Sequence, residues 1–181
     1  LYLYPDEISD ELINLIKEIT ENGHKILLFT SFKTALEIVK KKLDKENISN
    51  YTIAGDVPAK TRNNLVNAFN KDNTKVFLIM LKSGGTGLNL TSADVVIHLD
   101  LWWNPQVENQ ATDRAHRIGQ KNTVEVIKII CKGTIEERII ELQDKKKQLS
   151  EQILEKDMDD SKYLNQLNEE DIKKLITYNN V

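Results

Sequence analysis

The chain has 181 residues, 40 % of them hydrophobic, enough for one domain with a substantial core or one domain plus an appendage, and too few for two full domains. No run approaches the roughly 18 apolar residues of a membrane helix, and the opening LYLYPDEISD lacks the basic start and apolar run of a signal peptide, so a soluble, intracellular protein is expected. A formal charge of −3 excludes a generally basic nucleic-acid coat, yet setting aside residues 150–181, with eight acidic residues and four lysines, leaves 21 Lys and Arg against 20 Asp and Glu, a near-neutral body with room for local basic patches.

Residues 9–22 place Leu12, Leu15, Ile16 and Ile19 on one stripe, with Ser9 as N-cap and Gly23 just past the end, which predicts a helix. KILLFT (25–30) is a short apolar run of strand length. A second helix over 32–46 repeats the stripe with Leu36, Val39 and Leu43, and YTIA (51–54) is the next strand. Pro58 opens a third helix through Leu65, Val66 and Phe69. KVFLIML (75–81) and DVVIHL (94–99) are two more strands, separated by a glycine-rich loop. Asn104-Pro105 starts a helix predicted to stop at Gly119, and VEVIKII (124–130) is the last strand. From Thr134 the texture changes to a long helix with a capping box, Thr134 to Glu137, and then to an acidic tail over 157–181 with Asn168 as a cap. Strands that are apolar throughout and alternate with helices imply a parallel sheet covered on both faces. Its strand C-terminal ends share one edge, where ligands bind in such folds.

The interesting loops should lie there, and two stretches of the chain carry polar chemistry. In QATDRAHRIGQ (110–120), Gln110, Arg114 and Arg117 stand at i, i+4 and i+7, within about 60° of one another on a continuous helix. Two guanidiniums on one face repel unless an anion lies before them, and their forked donors suit phosphate. The plainer alternative is an Asp113–Arg117 ion pair on a solvated helix. In LKSGGTGLNLTS (81–92), Gly84, Gly85 and Gly87 permit sharp turns and close backbone approach to a ligand. The loop is neither GxGxxG nor GxxxxGK[ST], and no acidic pair follows an apolar strand, so any phosphate cradle must come from another domain. One cysteine, Cys131, excludes an internal disulfide, and three scattered histidines give no metal-ligand spacing.

KILLFTSF, YTIAGDVPAKTRNNLVNAF, FLIMLKSGGTGLNLTSADVVIHLDLWWNP, QATDRAHRIGQ and GTIEERIIELQDKKKQL, in this order and spacing, together resemble the second RecA-like lobe of Swi/Snf-type ATPases of helicase superfamily 2, over roughly residues 8–150. GGTGLNL and DRAHRIGQ in tandem carry most of the specificity; Thr86 departs from the apolar residue more often found between those glycines. The resemblance implies an α/β fold, a RecA-like parallel sheet with helices on both faces plus a C-terminal helical appendage. Residues 1–133 would form the lobe, 134–156 a brace-type helix, and 157–181 the tail. It also implies half of a motor. ATP and Mg2+ would be held mainly by an N-terminal RecA-like lobe in cis, while this lobe supplies Arg114 and Arg117 as arginine fingers, with Gln110, Gly85, Gly87 and Asn89 meeting the nucleotide. Thr30, Ser31, Arg62, Lys82, Ser83 and Gly84 would face the backbone of double-stranded DNA. The isolated lobe is then expected to be inactive, and the whole protein to be a DNA-dependent ATPase and translocase, at a bacterial nucleoid or in a nucleus. Two alternatives stay open: a module recruiting RNA polymerase or another DNA-bound protein through its helical tail, and the lobe of a strand-separating helicase.

Overall fold

The computed structural model describes residues 2–3, 8–55, 57–81, 88–101, 105–115, 120, 122–131, 133–134, 136–141 and 143–144. Among them the elements run β1 (Tyr2–Leu3), α1 (Ile8–Glu21), β2 (Ile26–Thr30), α2 (Lys33–Lys45), β3 (Asn50–Ile53), α3 (Ala59–Lys71), β4 (Val76–Met80), β5 (Val95–His98), α4 (Pro105–Thr112), β6 (Glu125–Lys128) and β7 (Ile130–Cys131). None of the helices is long and apolar enough to cross a membrane.

Five strands form one sheet in the order β3-β4-β2-β5-β6, with every neighbouring pair parallel. The central strand, ILLFT, is buried at all of its positions, as a strand covered on both faces must be. Its residues alternate between two cores. Ile26 and Leu28 join Val76, Leu78, Val95 and Ile97 under α1 and α2, through Leu12, Ile16, Leu36 and Leu43. Leu27 and Phe29 join Ile53, Phe77, Ile79 and Val96 under α3 and α4, through Val66, Phe69 and Ala111. Completely buried phenylalanines such as Phe69 and Phe77 each contribute up to about 3 kcal/mol of transfer free energy.

Two helices end alike. Gly23, at φ +91°, closes α1 with His24 N–H donating to Ile19 O (3.3 Å), and Asn47, at φ +57°, closes α2 with Ile48 N–H donating to Leu43 O (2.9 Å). Below the sheet, at its N-terminal edge, Lys25 reaches the end of α3. Its Nζ donates to Phe69 O (2.5 Å) and Asp72 O (2.7 Å) and lies 4.4 Å from the Phe69 ring centroid. Asp94 gathers the same edge, accepting from Asn122 Nδ2 and Lys25 N–H and bonding to His24 Nδ1 at 2.9 Å. Burial raises its carboxyl, but these partners outweigh burial and hold it below the usual carboxylate range.

Four boundaries differ from the sequence reading. Helix α1 begins at Ile8, so Ser9 lies inside its first turn rather than capping it. Helix α4 ends at Thr112, not Gly119; beyond it Arg114 N–H donates to Ala111 O (3.2 Å) and Ala115 N–H to Thr112 O (3.0 Å), so the chain tightens into i→i−3 turns. The run VEVIKII splits, because β6 stays on the main sheet while β7 leaves it to pair with β1. The capping box is also rearranged: Thr134 Oγ1 accepts from Glu136 N–H and donates to Cys131 O, and the Glu137 carboxylate accepts from Gly133 N–H. Residues 136–141 are helical, in keeping with the start of the expected long helix, whereas the remainder of that helix past residue 144 and the 157–181 tail lie outside the described residues. Burial, and next the Glu136 carboxylate, push the Cys131 thiol up to about 11, far from a thiolate nucleophile at neutral pH.

Candidate functional site

All five strands point their C-terminal ends to one edge, and the chain leaves adjacent strands β2 and β5 toward opposite faces: β2 feeds α2 on the first, β5 feeds α4 on the second. A crevice at such a switch point is where open α/β sheets hold ligands. Asp100, just past β5 and 7 % exposed, spans it. Its carboxylate accepts from the Thr30 hydroxyl (2.5 Å) and from Ser31 N–H (2.9 and 3.0 Å to its two oxygens), so the loop after β2 is bolted to the loop after β5. Thr30 is completely buried, and its Oγ1 also accepts from Phe32 N–H, which commits this hydroxyl within the protein. Ser31 Oγ, by contrast, is a buried atom without a hydrogen-bond partner.

Beside this clamp lies a second polar group. His98, the last residue of β5, is fully buried, stacked on Phe29 at 5.7 Å between centroids, and hydrogen-bonded through Nε2 with Thr112 Oγ1 of α4 (3.1 Å). Its neighbour across the ladder, Lys128, places Nζ 2.6 Å from the Glu108 carboxylate, itself 2 % exposed in α4. Burial first, then the Lys128 charge, lower His98 from 6.5 to about 4, with Asp100 opposing. Because the folded value lies below the unfolded one, protons bind the unfolded chain first. Stability present above pH 6.5 is lost as pH falls toward 4, at up to about 1.4 kcal/mol per pH unit. Denaturant midpoints measured across that window should show the slope, and His98→Phe should flatten it.

Arg114 follows α4 in the tightened turn and is buried, 7 % exposed, while Gln110 is exposed on the helix. The two side chains therefore differ in exposure, and the turn that carries Arg114 is closed by i→i−3 rather than i→i−4 bonds. The Arg114 carbonyl accepts from Leu90 N–H (3.1 Å), joining the turn to the segment after the glycine-rich loop. That segment is moored in turn: Asn70 Nδ2 of α3 donates to Asn89 O (2.7 Å), and Ser92 N–H donates to Asn70 Oδ1. The Asn89 side chain is exposed, and Arg62 on α3 donates from Nε to Val57 O (2.9 Å).

Of the residues singled out from sequence, the structure brings Thr30 and Ser31 together through Asp100, and Arg114 beside the backbone of Asn89 and Leu90. Lys82, Ser83, Gly84, Gly85, Gly87 and Arg117 lie outside the described residues. Sequence reasoning missed Asp100, His98 and Glu108. The signal that could have found the first two was a run of polar residues ending an otherwise apolar strand, HLD after VVI. No group of three metal-binding side chains occurs among the described residues.

Residues 8–119 match the family described as helicase conserved C-terminal domain. The chain is 44 % identical over 168 residues to an uncharacterized ATP-dependent helicase of Mycoplasma genitalium, covering 92 % of this chain and 16 % of that protein. It is 37 % identical over 169 residues to the SWI/SNF-related matrix-associated actin-dependent regulator of chromatin subfamily A member 1 of Mus musculus, again covering 92 % and 16 %. Its fold superimposes on the crystal structure of the C-terminal part of the Fun30 ATPase domain with a TM-score of 0.70 and 34 % identity, covering 77 % of this chain and 48 % of that one. The chain thus spans about one sixth of the length of these curated relatives. It belongs to the helicase conserved C-terminal domain family, as the C-terminal RecA-like lobe of the Swi/Snf type.

Proposed function

We propose that this chain is the second lobe of a DNA-dependent ATPase that translocates on duplex DNA, and that it completes the hydrolytic site for ATP and Mg2+ presented by a first RecA-like lobe. The observation that supports the reading is the burial of Arg114 on a turn pinned by Leu90, in the segment that follows the glycine-rich loop. A guanidinium held by a stiff backbone meets phosphate charge without reorganising, which is how an arginine finger lowers a phosphoryl-transfer barrier. Arg117 is its expected companion, with Gln110, Gly85, Gly87 and Asn89 on the nucleotide side. Since the fingers and the phosphate cradle sit on different lobes, hydrolysis waits for closure.

The DNA side would be the edge formed by the C-terminal ends of the strands. Ser31, Lys82, Ser83 and Gly84 would offer hydroxyls, backbone N–H groups and one cation to phosphates, and Arg62 adds sequence-independent attraction from α3. Thr30, whose hydroxyl goes to Asp100, would shape the loop that presents them.

The test is a triplex-displacement assay on the two-lobe protein. ATP-dependent release of a third strand from intact duplex is expected, without separation of a forked duplex. Efficient strand separation instead would identify an unwinding helicase.

A further inference from the structure

We propose that Glu108, Thr112 and their partners Lys128 and His98 form a two-point mount that fixes the register of α4 on the sheet and so aims Arg114. The inference rests on the Arg114 reading above and concerns how that side chain is held.

Glu108 and Thr112 are one helical turn apart and therefore share a face of α4. Their partners are Cα neighbours across the parallel ladder, Lys128 on β6 and His98 on β5. The helix is consequently gripped at two points along its axis, by a 2.6 Å ion pair and a 3.1 Å hydrogen bond. Two such points fix both the slide of a helix and its rotation. Among the described side chains of α4 the apolar contact is the small Ala111, whose methyl specifies neither. Energetics point the same way. The Glu108 carboxylate is 2 % exposed while its Lys128 partner is 37 % exposed, and desolvating the carboxylate offsets much of what the pair gains, so the pair is better explained by the geometry it specifies than by the stability it adds. The tightened turn carrying Arg114 comes directly after Thr112, so an error in helix register passes straight to the guanidinium.

The test uses the two-lobe protein and compares Thr112→Val, Thr112→Ser and the double variant Glu108→Leu/Lys128→Met. Thr112→Val is expected to lower kcat for ATP by on the order of 10-fold to 100-fold, the effect of displacing a reacting group by about 1 Å, with KM for ATP within about twofold. Thr112→Ser, which keeps the hydroxyl, should restore kcat. The double variant should unfold at the wild-type temperature or above and still turn over slowly, which a merely structural role would not produce. Wild-type kcat in both Thr112→Val and the double variant, or kcat and KM changing in step with a lowered unfolding temperature, overturns the mount. Arg114→Ala separates the two ideas: if it hydrolyses ATP normally, the finger reading falls, and if it is inactive while the mount variants are not, only the mount falls.

Discussion

Arg114→Ala in the two-lobe protein should lower DNA-stimulated ATP turnover by a factor on the order of 10³ or more while nucleotide affinity stays within a few-fold. The size follows from removing a preorganised positive charge from phosphoryl transfer, where an arginine finger is worth about 10³ to 10⁵ in rate. Affinity is expected to survive because, on the function proposed above, the triphosphate cradle would belong to the other lobe. Arg114→Lys is not expected to rescue, since a single ammonium cannot reproduce the planar fork that grips two phosphate oxygens. Single-turnover hydrolysis together with binding of a fluorescent ATP analogue distinguishes the outcomes. Near-normal turnover in Arg114→Ala would remove the finger assignment, and weakened binding with unchanged chemistry would make Arg114 a binding residue.

The second large effect is on stability. Asp100→Ala strands two donors, the Thr30 hydroxyl and Ser31 N–H, at the join of β2 and β5. Losing two charge-assisted bonds and leaving their donors buried should cost about 4 kcal/mol, or roughly 10 °C in Tm for a chain of this size. Asp100→Asn keeps the shape and one acceptor oxygen and should fall between. Urea unfolding of the 181-residue chain checks both; an unchanged midpoint for Asp100→Ala would mean that the clamp is ornamental.

Much of the fold was legible because its strands are buried on both faces. A run such as KILLFT or KVFLIML has no polar alternation to blur its limits, and β2 and β4 fall within two residues of the expected positions. The end of α4 was not legible. TDRAHRI contains no helix breaker before Gly119, and the turn that ends α4 carries a tertiary contact that the local sequence does not announce, the bond from Leu90 N–H to Arg114 O. The site divides similarly. Residue type and the family resemblance single out Arg114, Thr30 and Ser31, but the commitment of Thr30 to Asp100 depends on strand order. Parallel pairing of β2 with β5, some 70 residues downstream, is what sets the two side by side. His98 and Lys128 likewise become neighbours only through the ladder of β5 with β6.

The position of β2 has a further consequence during synthesis. This fully buried central strand is made before both strands that flank it, β4 about 50 residues on and β5 about 70. At about 5 to 20 residues per second, the ribosome leaves ILLFT without its native neighbours for several seconds. The nascent lobe therefore spends that interval as a target for holding chaperones, and a stall before residue 98 would release a fragment prone to aggregate through its own central strand.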